Sequence, residues 1–124
     1  MMKQLLPMIA LSLAALSFNA AWAHGGAKAK HGGVVATASD LGFELVATPT
    51  GAAIYVEDHG KPMAPTGMMG KLTVLNGTEK SEAALAVTGD KLEAQGVKLG
   101  PGAKVVAALT TAQKKSITVR FTVK

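Results

Sequence analysis

Ser116-Ile117-Thr118-Val119-Arg120-Phe121-Thr122-Val123 is the stretch that decides the fold. Ile117, Val119, Phe121 and Val123 fall on one side of an extended chain, and Ser116, Thr118, Arg120 and Thr122 on the other. Successive side chains of a strand point to opposite faces, so this alternation predicts a strand with one buried face. Working back from it, residues 103–109 are apolar on nearly both sides, which predicts a strand central in its sheet. Gly100-Pro101-Gly102 precedes it, and Gly89-Asp90 turns the chain into residues 91–94. Ala83, Leu85 and Val87 form another face, although the alanines of residues 81–87 would also suit a helix. Asn76-Gly77, after Leu72 and Val74, is the strongest hairpin signal. Ile54 and Val56 alternate with Tyr55 and Glu57, between turns at residues 49–51 and 58–62. Phe43, Leu45 and Ala47 alternate with Glu44 and Val46. The pattern predicts an all-β fold over residues 34–124: an antiparallel β-sandwich of immunoglobulin-like type with about seven strands. A small closed barrel is the alternative.

The N-terminal quarter reads differently. Lys3, then an apolar run over residues 5–16, then Ala21-Trp22-Ala23 form the positive end, short core and small-residue exit of a secretory signal peptide over residues 1–23. The run is too short to span a bilayer, which needs roughly 20 apolar residues. The expected location is the periplasm, with a mature N-terminus at His24. The chain has no Cys, so its fold uses no disulfide there. Residues 24–33, His-Gly-Gly-Ala-Lys-Ala-Lys-His-Gly-Gly, are too small and polar to bury a face and are expected to form a flexible arm.

Composition narrows the function. Cleavage would remove Lys3 from a chain with 13 basic residues, 8 acidic ones and a formal charge of +5, so the exported protein stays basic. Its only Arg is Arg120, and its only aromatics are Phe43, Tyr55 and Phe121. Nucleic-acid surfaces draw on Arg and stacking aromatics, so that class is not expected. There is no phosphate loop, no Gly-x-Ser-x-Gly and no Cys nucleophile, and the expectation is a protein that is not an enzyme.

The placement of His and Met is uneven. His24, His31 and His59 are the three His, and Met63, Met68 and Met69 share one seven-residue window. Imidazole is the commonest transition-metal ligand, and thioether is soft and selects Cu(I). At a mature N-terminus His24 would add its α-amine, closing a chelate suited to Cu(II). These six residues are the candidate metal ligands, with copper as the candidate ion. Each also has a structural reading. His31 with Gly32-Gly33 suits a turn into a strand, and His59 between Asp58 and Gly60 suits a hairpin. The three Met suit adaptable core filling.

The order His31-Gly32-Gly33, Phe43-Glu44-Leu45-Val46, Tyr55-Val56-Glu57-Asp58-His59-Gly60-Lys61-Pro62 and a closing strand with Phe121 resembles a class of small periplasmic β domains. Similar domains form N-terminal extensions of the adaptor subunits of heavy-metal efflux pumps. The resemblance implies an immunoglobulin-like sandwich in a metal-handling setting, with an efflux adaptor or another envelope protein as partner. His24 and the Met63 to Met69 window are also similar to copper-resistance carriers of the CopC type. The late Asp-x-His of that family is missing here, since no His follows His59. The function expected from the residues and the resemblance is a periplasmic copper carrier or scavenger. The alternative is a protein-interaction accessory module of an envelope or efflux complex.

Overall fold

The computed structural model describes residues 28–124. The expected signal peptide and His24 lie outside the described residues. Nine strands follow one another: β1 (Val34–Ala38), β2 (Leu41–Thr48), β3 (Gly51–Asp58), β4 (Lys61–Met63), β5 (Met69–Asn76), β6 (Glu79–Thr88), β7 (Lys91–Gln95), β8 (Lys104–Thr110) and β9 (Ser116–Thr122). No helix occurs among the described residues, and residues 81–87 lie within β6. All pairings are antiparallel, in the order β1-β2-β3-β7-β6-β5-β8-β9, with β4 paired to β3 outside that path.

The expected count of about seven strands is therefore corrected to nine. β1 and β4 are the additions. The β1–β2 hairpin turns on Ser39 and Asp40, both at positive φ (51° and 64°). A two-residue turn of this hand normally advertises itself with Asn-Gly or Asp-Gly, and here neither residue is Gly. β4 is three residues long and sits inside what reads as turn composition.

β6 joins the two halves of the fold. Its residues 79–85 pair with β5, and Ala86, Val87 and Thr88 pair with β7. The chain of pairings curls until β1 and β9 lie side by side, but no hydrogen-bonded ladder joins them. The result is a nearly closed barrel with one open seam.

The interior is apolar throughout. Phe43, Leu45, Ile54, Leu72, Leu92 and Val105 are each no more than 1 % exposed, and Val119 and Phe121 close the core from β9. Burial of each large side chain contributes about 1.5–3 kcal/mol. β8 is central, between β5 and β9, as its composition predicts. It buries only Val105, Ala107 and Leu109; Lys104 and Ala108 face outward exposed, and Val106 is half-buried. Small apolar residues on its outer face made it read as buried on both sides.

Candidate metal centre

Row by row, the register sets Val35, Glu44, Tyr55 and Lys91 side by side across β1, β2, β3 and β7 on the outer face of the sheet. Strand alternation puts Glu44 outside the barrel, yet it is the one charged residue that is buried among those described, at 6 % exposure. Residues 30–33 roof it. The Glu44 carboxylate accepts hydrogen bonds from the backbone N–H of Lys30 (2.9 Å), His31 (2.8 Å) and Gly33 (2.8 Å). His31 Nδ1 lies 3.0 Å from Oε1 of the same carboxylate. Burial alone would raise the Glu44 pKa. The hydrogen bond from the His31 side chain and those from the Lys30, Gly33 and His31 backbone outweigh it and lower the carboxyl to about 2.

Gly33 makes this clasp sterically feasible. A Cβ there would overlap the Leu45 carbonyl oxygen on β2, so only glycine allows so close an approach. Lys30 ties the same segment down a second time: its Nζ lies 2.6 Å from Glu57 Oε2 and 3.0 Å from the Gly60 carbonyl. The end of the expected arm, residues 30–33, is thus fastened to β2 and β3.

An ionised carboxylate only accepts hydrogen bonds, so Nδ1 of His31 carries the proton that faces Glu44. In the neutral ring the lone pair then sits on Nε2. The ring is further held by Tyr55, stacked on it at 3.7 Å between centroids and 5° between planes. A carboxylate on one ring nitrogen that fixes the tautomer and orients the other is the arrangement that supports metal-ligating histidines. Tyr55, His31 and Met63 line one cleft of about 170 Å³, together with Glu57 and Asp90.

The other candidate ligands are distributed around the molecule. His59, at positive φ in the β3–β4 turn, has Nδ1 2.6 Å from Asp58 Oδ1 and an 86 % exposed side chain. It lines a different cleft of about 490 Å³ with Ser39, Asp40 and Leu41. Met68 belongs to the hydrophobic core, at 8 % exposure. Met69 opens β5 and is 64 % exposed. Met63 alone shares the cleft of His31, and it also lines, with Met68, a third cleft of about 300 Å³. Among the described residues no three His, Cys, Asp or Glu side chains gather as a metal site would require. The strand reading treated Glu44 and Tyr55 as ordinary outward residues and missed their role at His31. One signal was present: Glu44 is the only charged residue between positions 41 and 56.

No helix among the described residues is long and apolar enough to cross a membrane. Comparison with protein-family models, with curated proteins and with solved structures finds no match.

Proposed function

We propose that this is a periplasmic copper-binding protein, a carrier or scavenger serving metal efflux or resistance. The observation that carries the reading is His31: its Nδ1 is committed to Glu44 and its plane to Tyr55, which leaves Nε2 as the free ring nitrogen of a residue whose cleft Met63 also lines. Imidazole with thioether is a donor pair that favours copper over hard, oxygen-seeking ions. His24, with its imidazole and an α-amine, supplies further nitrogen donors for Cu(II) in this reading. Met63 supplies the soft donor for Cu(I), being the one of His59, Met63, Met68 and Met69 that lines the cleft of His31.

Tyr55 provides the reporter. It is the only Tyr of the chain, and the only Trp, Trp22, lies in the segment removed on export. Titration of the exported protein with Cu(I), Cu(II) and Zn(II), against a chelator of known affinity, is followed by Tyr55 fluorescence. Stoichiometric copper uptake with quenching is expected. His31→Ala abolishes the quenching, and Met63→Leu, which nearly conserves volume, weakens Cu(I) selectively. Cu(II) uptake weakens as pH falls, because protons compete for the nitrogens. Loss of all copper to a weak competitor defeats the reading. A second reading, an accessory module that docks on another envelope protein, is favoured by the unladdered edges of β1 and β9 at the seam. It predicts partner binding that His31→Ala leaves intact.

A further inference from the structure

The basic residues of the chain are not evenly placed. Residues 95–124 contain six of them, Lys98, Lys104, Lys114, Lys115, Arg120 and Lys124, and no Asp or Glu. None of the six forms an ion pair among the described residues, whereas Lys30, Lys71, Lys80 and Lys91 all do. The fold gathers part of this charge on one outer sheet face. Register sets Arg120 beside Val106 and Thr73, Lys104 beside Thr122 and Leu75, and Lys71 beside Ala108 and Thr118. With Lys80 from β6, the face carries four cations. Its one carboxylate is Glu82, already shared by Lys71 at 3.5 Å and Lys80 at 3.6 Å.

The same face holds two of the three exposed large apolar side chains, Met69 (64 %) and Leu75 (38 %), at opposite ends of β5. Between them, in the rows of Lys71 and Arg120, lie the short side chains of Thr73, Val106, Ala108 and Thr118. Cations in excess of carboxylates, two of them (Lys104 and Arg120) without an ion pair among the described residues, and two exposed apolar side chains are the features that a protein uses to lie on a charged bilayer surface. The cations meet anionic headgroups while the apolar groups enter the interface.

We propose that the outer face of β5, β8 and β9 docks the protein peripherally on anionic phospholipid. The proposal does not depend on copper binding. Each basic side chain brought to an anionic membrane surface raises partitioning about fivefold. An acidic protein would answer the same charge, but the exposed Met69 and Leu75 on this face suit the apolar layer beneath anionic headgroups.

The test is co-sedimentation of the exported protein with vesicles of phosphatidylglycerol and phosphatidylethanolamine, against vesicles of phosphatidylcholine alone. Three proteins are compared: wild type, Lys104→Glu with Arg120→Glu, and Lys28→Glu with Lys61→Glu. The two variants have the same net charge, but only the first alters the face. All three are expressed from the full chain, so any contribution of residues 1–23 is common to them. Wild type is expected to sediment with the anionic vesicles only and to be released by salt. The face variant is expected to lose at least about tenfold, and the control to stay within about threefold of wild type. Equal binding to both vesicle types, or equal losses in the two variants, overturns the proposal. Binding to polyglutamate but not to anionic vesicles assigns the face to an acidic polypeptide and overturns it as well.

Discussion

Glu44 concentrates the electrostatics of the candidate centre in one side chain. Its carboxyl ionises at about 2 in the folded protein against an ordinary value of 4.5. The folded state therefore binds this proton less readily than the unfolded chain does. The stabilisation is complete only well above pH 4.5 and is lost as pH falls from about 5 through about 2. The gap corresponds to about 3 kcal/mol. Glu44→Gln is expected to lower stability at pH 7 by about 2–3 kcal/mol and to flatten the acid limb of the stability curve. Urea denaturation of both proteins across that range measures it. Parallel curves would mean that the clasp contributes nothing. Apart from the isolation of Glu44 as a lone charge, the clasp was not legible in the sequence, because Phe43-Glu44-Leu45 alternates as any surface strand does. Alternation identifies a face but not what lies over it, and a roof of glycine-rich backbone carries no hydrophobic signal.

Within the elements, β9 is where sequence and structure agree most closely. Ile117, Val119 and Phe121 are buried, and Ser116, Thr118, Arg120 and Thr122 are exposed. Phe121→Ala is expected to cost about 3–5 kcal/mol and Arg120→Ala less than about 0.5 kcal/mol in chemical denaturation. Comparable losses would place the register one residue away. Strand periodicity was legible wherever a strand buries one full face. It failed at β1, whose Ser39-Asp40 turn lacks glycine, and at β4, which is too short for a period to develop. The Asn76-Gly77 hairpin was located to within one residue: Asn76 pairs with Glu79, so Gly77 and Thr78 are the turn. The Asn76 amide instead binds the Lys98 carbonyl and the Gly100 N–H. The passage of β6 from β5 to β7 leaves no mark in its sequence, because a strand's partners are set by twist and by the lengths of distant connections.

For the molecule as a whole, the expected all-β antiparallel architecture holds, while the candidate ligands illustrate the limit of reading from proximity in sequence. Met68 and Met69 are adjacent, so a strand entry sends one into the core and the other to solvent. His31 and Met63, which are 32 positions apart, share a cleft because β3 and β4 fold back beneath residues 30–33. Processing is the remaining expectation at this scale: mass spectrometry of protein from the envelope fraction should find His24 at the N-terminus. Any other start would remove the amine chelate from the copper reading. The seam has one more consequence. Gly32, Gly33 and Val34, at the entry to β1, and Val123 and Lys124, just past β9, line the same cleft. A polypeptide can therefore enter and leave this fold at a single point. The domain can hang as a side module from a longer carrier, or be inserted into one of its loops, without lengthening the carrier or straining its path.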